Sequence, residues 1–313
     1  MSEPSWNAYQ FFNQGVKQSA MNVESLQGVI PPIVTPFDAN EEVDLEIVRR
    51  EVKYLLSTGI DGISAGGSTG EGALLSDAEL QAILEVVVAE NSRGVPVIGG
   101  VIRNSTRDAI KTAQMMQATG ADALLVTPVF YHGATAEGNY VYYNTIAEAV
   151  GLPLIVYNVV PTNPISAPLM LRLSEIEGVV GIKQVDPQGL MDLIITCGDR
   201  TKIFSACDAM LYSTYVAGAC GTIAAIVTVA PELCVQQWQA FQDGDQTTGQ
   251  AIQQKLAYLV KAYADKPFPG KVKELLNQQG RPVGNARSPV LEPTPEEKAS
   301  IRESLQRAGL LAH

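Results

Sequence analysis

Histidine is scarce in this chain of 313 residues, which contains only His132 and His313. Neither belongs to an HExxH pattern or another clustered ligand pattern, so the sequence predicts no metal site. The four cysteines form no CxxC pair, and no secretory signal accompanies them. We therefore interpret the cysteines as reduced thiols and predict a cytoplasmic protein.

Basic residues are also few, because 22 lysines and arginines face 33 aspartates and glutamates, for a net charge of −11. Such a surface repels phosphate backbones and anionic lipids, which argues against nucleic-acid and membrane partners. No apolar run reaches the roughly 18 residues that a membrane span needs. Residues 1–27, which include Trp6, Phe11 and Phe12, show no targeting pattern. We predict that they form an N-terminal extension, either a docking arm or a loose terminus.

The chain does contain a repeated alternation of short apolar runs with longer segments of helical periodicity. The apolar runs are residues 29–34, 62–65, 96–102, 121–126, 153–157, 179–183, 202–205 and 222–227. They are continuous rather than alternating, as expected for parallel strands that are covered on both faces. About eight repeats predict an α/β fold, a (β/α)8 TIM barrel. An open doubly wound sheet would usually have about five or six strands.

Helix signals lie between these runs, including a capping box at Ser76–Glu79 and a first-turn proline at Pro231. The predicted helices are residues 44–58, 76–90, 105–119, 166–177 and 231–241, followed by 246–264, 269–279 and 295–308. The last three have no apolar strand run between them. We therefore assign the barrel to residues 28–243 and a C-terminal helical segment to residues 244–313.

A glycine-rich segment, Gly66-Gly67-Ser68-Thr69-Gly70, follows the second apolar run. It formally matches GxSxG, the nucleophile elbow of the α/β-hydrolases, and Ser68 would then be a nucleophile. That interpretation needs an immediate helix and a histidine late in the chain. A barrel instead binds small molecules at the C-terminal ends of its strands. There the N–H groups and hydroxyls of this loop suit a carboxylate or phosphate, although a tight turn without a ligand is the plain alternative.

Two polar side chains occur within or at the end of apolar runs. Lys183 lies in the run 179–183, where burial would lower the pKa of a lysine and favour the neutral amine. A neutral amine is the nucleophile that forms a Schiff base with a ketone. A lysine that reaches solvent from the strand end is equally compatible with the pattern. Tyr157 ends the fifth run, where it could transfer a proton or pack beneath a loop.

Further motifs surround these residues. They are Thr35-Pro36-Phe37, Gly66–Glu71, Val126-Thr127-Pro128, Tyr157-Asn158 with Pro161, Gly181-Ile182-Lys183, Phe204-Ser205 with Asp208, Val229–Glu232, Arg281–Gly284 and Ala308–Leu311. In this order, over residues 28–311, the chain resembles the dihydrodipicolinate synthase / N-acetylneuraminate lyase family of pyruvate-dependent class I aldolases. The resemblance implies a Schiff-base-forming lyase that cleaves, condenses or dehydrates a 2-keto acid.

The resemblance also implies roles for individual residues. Lys183 would form the imine with pyruvate or a related 2-keto acid, and Tyr157 would transfer protons. The loop residues Gly67, Ser68 and Thr69 would hold the keto-acid carboxylate. Main-chain groups near Ala206 and Ile223 would line the same pocket. No metal or organic cofactor is implied, because the protonated imine is itself the electron sink. The implied assembly is a homotetramer, a dimer of dimers.

The chain departs from the synthase branch of the family in the segment after Tyr157. That branch carries an arginine after Tyr-Asn-Val-Pro, where it binds a second carboxylate. Residues 157–164 here read YNVVPTNP, with one extra residue and no arginine. We therefore expect that the protein is not a true dihydrodipicolinate synthase and that Thr162 and Asn163 offer neutral hydrogen bonds. If another clamp exists, Arg103 or Arg107 is the candidate.

Two other departures affect the same side of the pocket. The second tyrosine of the family should follow Pro128, but Phe130 lies nearest that place and Tyr131 follows it. Either is a candidate for a proton relay or a subunit contact. Ala206 and Cys207 stand where a glycine and an acid are usual. A 2-keto-acid-binding barrel that has lost catalysis is therefore a second hypothesis, beside the serine hydrolase.

Overall fold

The computed structural model describes residues 22–312, and eight parallel strands form its centre. They are β1 (Gly28–Val29), β2 (Ile63–Ala65), β3 (Val97–Val101), β4 (Ala123–Val126), β5 (Leu154–Asn158), β6 (Val179–Gln184), β7 (Lys202–Ser205) and β8 (Gly221–Thr222). Their order is β1-β8-β7-β6-β5-β4-β3-β2. A parallel bridge between Pro32 and Ser64 joins the chain after β1 to β2 and completes the ring. The predicted (β/α)8 barrel is confirmed.

Helices follow the strands in alternation and cover the outside of the barrel. They are α1 (Leu45–Ser57), α2 (Asp77–Glu90), α3 (Thr106–Thr119), α4 (Ala136–Ala149), α5 (Ala167–Leu173), α6 (Pro187–Cys197), α7 (Leu211–Ala217), α8 (Ala225–Val229) and α9 (Pro231–Gln242). The predicted capping box is present at α2. The Ser76 hydroxyl accepts from the Glu79 N–H, and the Glu79 carboxylate accepts from the Ser76 N–H. This reciprocal pair satisfies two N–H groups that would otherwise lack partners.

Three more helices complete the described chain: α10 (Gln246–Tyr263), α11 (Gly270–Gln278) and α12 (Pro295–Ala308). Helix α10 packs against α9 and α12, which attaches the C-terminal helices to the barrel. The assigned limits of barrel and helical segment stay predictions. Trp6, Phe11, Phe12 and His313 lie outside the described residues. Within residues 22–312, no helix is long and apolar enough to cross a membrane.

The strands divide the core into two apolar layers. The layer inside the barrel consists of Leu26, Ile30, Ile98, Ala123, Leu125, Ile155, Tyr157, Phe204 and Ile223. The larger layer lies between strands and helices and includes Val156 and Ile182. Successive residues of a strand point to opposite faces. Tyr157 therefore points into the barrel, and Lys183, which follows the outward Ile182, points the same way.

Three predicted elements extend well beyond the ends that they have in the structure. Strand β1 stops at Val29 because Pro31 and Pro32 supply no N–H to the sheet. The predicted helix 166–177 ends at Leu173, where the Ser174 hydroxyl hydrogen-bonds the Leu171 carbonyl. The run 222–227 is strand only at its start, since helix α8 begins at Ala225.

Candidate active site

The two residues singled out for Schiff-base chemistry are neighbours on adjacent strands. The register of β5 and β6 pairs Tyr157 directly with Lys183. Both side chains are buried, each with 3% of its surface exposed. The Lys183 Nζ lies 4.0 Å from the centre of the Tyr157 ring. The structure thus brings the amine and the phenol together at the C-terminal ends of the strands, where barrels place their chemistry.

The amine of Lys183 has neither an ion-pair partner nor a hydrogen bond among the described residues. Burying an unpaired charged group is costly, so a buried lysine without a partner is uncommon in a purely structural role. The alternative in which Lys183 extends into solvent is wrong, because the side chain is enclosed.

The glycine-rich loop reaches the same place from the end of β2. The Tyr157 hydroxyl donates a hydrogen bond of 3.0 Å to Ser68 Oγ. Thr69 is buried beside it. Within residues 22–312, neither the Ser68 nor the Thr69 backbone N–H donates to another residue, whereas Glu71 N–H is bonded to the Ser68 carbonyl. Unpaired N–H groups that flank two hydroxyls form a fitting site for an anion.

Glycine is required in this loop for close packing. A Cβ atom on Gly72 would lie 1.8 Å from the Gly66 carbonyl oxygen, and one on Gly70 would lie 2.8 Å from the Ile33 carbonyl oxygen. Gly67 has open space where its Cβ would be. The glycines around Ser68 therefore let the loop fold on itself and against the segment that follows β1, and they leave open space at Gly67.

The geometry around Ser68 does not support a nucleophile elbow. Helix α2 begins only at Asp77, so no helix follows the serine directly. The hydrogen-bond partner of Ser68 is Tyr157, and in the described part of the chain no histidine is bonded to it. His132 is exposed and stacks edge-on against Tyr131. The serine-hydrolase hypothesis loses the features on which it depended.

Ala206 and Ile223 follow β7 and β8 and so lie on the same side of the barrel as Lys183. The Ala206 N–H donates to the Gln184 carbonyl at 2.8 Å, and the Ile223 N–H donates to the Ser205 carbonyl at 3.1 Å. Both N–H groups thus complete the sheet. Only the carbonyl oxygens and side chains of these two residues remain to line a pocket.

Phe130 and Tyr131 lie in the loop between β4 and α4. Their N–H groups donate to the Asn104 side-chain oxygen at 2.8 and 3.1 Å. Phe130 is 36% exposed and Tyr131 is 78% exposed. Their backbone is therefore fixed while both rings face outward from this chain.

The expectation that Asn163 offers its amide to a substrate is wrong. Asn163 is buried, and its amide nitrogen donates to the Val129 carbonyl at 3.0 Å and to the Asn139 oxygen at 3.2 Å. Asn139 returns a bond of 2.8 Å to the Asn163 oxygen. This reciprocal pair ties the β5–α5 loop to α4, and the bond to Val129 ties it to the β4–α4 loop. The Thr162 hydroxyl donates at 3.4 Å to the Phe130 carbonyl, which adds to the same connection.

Arg103 is occupied in a structural network and is not available as a clamp. Its guanidinium donates to the carbonyls of Gly72, Leu75 and Ile102 and to Thr112, and it pairs with Asp77 at 3.0 Å. Arg107 is exposed at the start of α3. The structure therefore gives no support to Arg103 as a substitute for the missing arginine.

Asp208 is a titratable group near the site whose environment the sequence did not reveal. It lies just after β7, and Tyr263 from α10 donates a short hydrogen bond to its carboxylate. Burial raises the pKa of Asp208 to about 6, although the Tyr263 hydrogen bond and the positive charge of Lys183 act in the opposite direction. Through Tyr263, the C-terminal segment thus reaches a carboxyl group that interacts electrostatically with Lys183.

Replacing Asp208 with asparagine should stabilise the protein increasingly as the pH rises. The folded-state pKa of Asp208 is raised from 3.8 to about 6, so its contribution to the free energy of unfolding is present below pH 3.8 and is lost through pH 6. Asparagine does not titrate and can still accept from Tyr263. The stability gain should grow by on the order of 2–3 kcal/mol between about pH 4 and pH 7 and then level off. Urea unfolding of both proteins across that range measures the gain, and a pH-independent difference contradicts the assignment.

A cavity of about 630 Å³ lies outside the barrel between α5 and α6. The residues Asn158 and Gln184 line it, one position beyond Tyr157 and Lys183 on their strands. Because strand residues alternate in direction, this cavity is on the opposite side of the sheet from the side chains of Tyr157 and Lys183. It is therefore a groove separate from the space inside the barrel that these two side chains face. The described residues contain no cluster of His, Cys, Asp and Glu suited to a metal ion.

Comparison with known proteins agrees with this geometry over nearly all of the described chain. The profile of the dihydrodipicolinate synthetase family matches residues 25–308. A 4-hydroxy-tetrahydrodipicolinate synthase from Methanopyrus kandleri is 32% identical over 296 residues, which cover 91% of this chain and 97% of the relative.

Solved structures of pyruvate complexes share this fold. The dihydrodipicolinate synthase of Acinetobacter baumannii in complex with pyruvate superimposes with a TM-score of 0.87 at 30% identity, covering 91% of this chain and 99% of that one. Escherichia coli YagE in complex with pyruvate gives 0.87 at 27% identity, with 91% and 99% covered. From the family match and these similarities together, the chain belongs to the dihydrodipicolinate synthetase family.

Proposed function

We propose that the protein is a lyase that forms a Schiff base between Lys183 and pyruvate or a related 2-keto acid. The observation that carries the proposal is the buried, unpaired Lys183 amine, 4.0 Å from the Tyr157 ring centre. In this mechanism the amine attacks the keto carbon to give a carbinolamine. Loss of water then gives the imine, which draws electrons from a bond at the neighbouring carbon.

In the proposed reaction, Ser68 and Thr69 bind the substrate carboxylate and Tyr157 transfers a proton. The free N–H groups and hydroxyls of Ser68 and Thr69 hold the keto-acid carboxylate, with Gly67 leaving room for its approach. Tyr157, held by Ser68 at 3.0 Å, carries a proton to the oxygen that leaves as water. Ala206 and Ile223 line the pocket through their carbonyl and side-chain atoms. The chemistry proposed here uses no metal or organic cofactor.

Borohydride trapping with pyruvate tests the proposal. Borohydride reduces an imine to a stable amine, so the reaction should add one reduced pyruvate to the chain, on Lys183. Intact mass and peptide mapping detect and locate the adduct. Failure to form any adduct at saturating pyruvate contradicts the proposal and favours a barrel that binds 2-keto acids without catalysis.

We further propose that the second substrate is hydroxylated or neutral and that the enzyme is a poor dihydrodipicolinate synthase. Relatives carry the synthase name, but residues 158–170 of this chain contain no arginine or lysine. Asn163 is engaged with Asn139, and Arg103 with Asp77. The pocket side that should receive a second carboxylate thus lacks an evident cation.

Exposed apolar side chains support the proposal of a homotetramer built from two dimers. One set, Tyr131 and Val141, is 78% and 54% exposed on the β4–α4 loop and α4, and another, Met191 and Ile195, is 41% and 79% exposed on α6. Large apolar residues exposed together are typical of protein interfaces. The first set lies on the β4–α4 loop and α4, and the second lies on α6. Two sets on different elements fit two kinds of subunit contact. We also propose a cytoplasmic location, which is consistent with membership of the family.

Light scattering at micromolar concentration should give the mass of four chains. Ile195→Asp places a charge in the second set and should reduce the assembly to a dimer, because an unpaired charge in an apolar interface is costly. Lys255→Asp, on the exposed surface of α10, is the control and should leave the tetramer intact. A wild-type monomer that turns over substrate contradicts the proposal.

A further inference from the structure

A buried ion pair connects the glycine-rich loop to the C-terminal helices. Glu71, on the loop, is 5% exposed, and Lys273, on α11, is 1% exposed. The Lys273 Nζ lies 2.7 Å from the Glu71 carboxylate. The pair therefore joins a barrel loop to an element outside the barrel through two charges that are both removed from water.

Glu71 is part of the turn that shapes the loop. Its φ of 55° is in the left-handed region, which is uncommon for a residue other than glycine. The Glu71 N–H donates to the Ser68 carbonyl at 3.1 Å, and the next N–H, of Gly72, donates to the Gly67 carbonyl at 3.0 Å. The backbone of Glu71 is thus bonded directly to Ser68, one of the two residues that carry the free N–H groups. Strained backbone of this kind persists only where surrounding contacts hold it.

Both members of the ion pair have further contacts with residues outside the glycine-rich loop. Lys273 also donates to the Asn285 carbonyl at 2.8 Å, and its Nζ lies 4.3 Å from the centre of the Phe37 ring. The second Glu71 oxygen accepts from the Arg287 N–H at 2.9 Å. Burial lowers the pKa of Lys273, and the charge of Glu71 opposes that effect. Removal of one partner would leave the other charge buried without its ion-pair partner.

We propose that Lys273 is a positioning residue for substrate binding, because it holds Glu71 and thereby the Ser68–Thr69 loop in the shape that receives the carboxylate. The inference rests on the proposed function for its substrate and goes beyond it in assigning part of the pocket's geometry to the C-terminal segment. Lys273 itself touches no atom of the proposed substrate site. Its effect acts through Glu71.

The chain offers a matched control on the same helix. Lys271 is 4% exposed and also ion-paired, with Asp265 and Glu297, each at 2.8 Å. These partners belong to the C-terminal segment and not to the barrel loop. Lys271→Met and Lys273→Met thus each remove a buried, paired lysine from α11. Only the second removes a contact with the loop.

The experiment compares Lys273→Met, Lys271→Met and the double variant Glu71→Gln/Lys273→Met with the full-length wild type. The pyruvate concentration that gives half-maximal borohydride trapping should rise at least about tenfold in Lys273→Met, since a misplacement of about 1 Å can cost about a hundredfold. It should stay within about twofold in Lys271→Met, even where the melting temperature falls. The double variant leaves no unpaired charge and should recover stability, but it does not restore the contact with the loop, so its half-maximal pyruvate concentration should stay raised; recovery to the wild-type value would overturn the proposal.

Amide hydrogen exchange of residues 66–75 provides a readout that does not depend on catalysis. Exchange in this loop should increase in Lys273→Met and not in Lys271→Met. Equal trapping and equal loop exchange in Lys273→Met and wild type overturn the proposal, as does an identical effect of both single variants. If Lys273→Met does not fold, Glu71→Gln replaces it and should shift both readouts in the same direction. A wild type that traps no pyruvate contradicts the proposed function, and loop exchange alone then decides the positioning role.

Discussion

Replacing Lys183 with alanine should abolish pyruvate trapping and lower turnover by at least about 10⁴-fold, the scale seen when a covalent nucleophile is removed. No other described amine is placed beside Tyr157 in the barrel interior. Alanine removes a buried side chain without an ion-pair partner, so the fold should persist. Circular dichroism and thermal melting verify that the variant is folded before its activity is compared.

Two variants make the result specific to the geometry of the site. Lys202 begins the neighbouring strand β7 at its other end, and its register partner is Gly181. Lys202→Ala should trap pyruvate as the wild type does. Tyr157→Phe retains the amine and should still trap, but its turnover should fall by about 10²–10⁴-fold, as expected for loss of an acid–base group. An adduct that survives Lys183→Ala would show that the reactive lysine is elsewhere.

Condensation of pyruvate with aspartate semialdehyde should be slower than cleavage of the best 2-keto-3-deoxy sugar acid by tens- to thousands-fold. A second carboxylate without a charged partner loses on the order of 2–5 kcal/mol of binding or transition-state stabilisation. A bidentate arginine is the usual clamp for such a group. In this chain the corresponding loop carries Asn163, which is bonded to Asn139 and to the Val129 carbonyl.

A coupled assay with aspartate semialdehyde, run beside a panel of 2-keto-3-deoxy sugar acids, measures the ratio of kcat/KM values. A working synthase would show a kcat on the order of 10 s⁻¹ with the semialdehyde. That outcome would contradict the proposed substrate preference while leaving the Schiff base at Lys183 in place. Arg107→Ala would then test whether the exposed arginine at the start of α3 supplies the clamp.

The candidate site was predictable because its determinants are local to single strands. A lysine and a tyrosine at the ends of apolar runs, and a glycine-rich loop after another, must meet at the C-terminal face of a parallel barrel. The family resemblance added the order of the motifs. The structure then placed Tyr157 in contact with both Lys183 and Ser68.

The supporting contacts could not be predicted, because they join residues that are distant in sequence. Lys273 shows no pattern that pairs it with Glu71, and only the packing of α11 against the barrel brings the two together. The hydrogen bonds of the Asn163 side chain likewise depend on Asn139, which lies on α4. Helix α8 contains β-branched residues that favour a strand, but the Thr228 hydroxyl bonds the Pro32 carbonyl and the Arg281 side chain bonds the Thr228 carbonyl. These contacts override local propensity.

The reciprocal bonds between Asn139 and Asn163 restrict which substitutions could let this protein bind a substrate with a second carboxylate. An arginine introduced at position 163 would leave the Asn139 amide and the Val129 carbonyl without partners in a buried place. Each unmet group costs about 1–3 kcal/mol. A single substitution toward the recognition of a second carboxylate would therefore destabilise the fold before it improved binding of the new substrate. Evolution or design would have to change the β5–α5 loop and α4 together, so packing as well as chemistry would maintain the specificity that we propose.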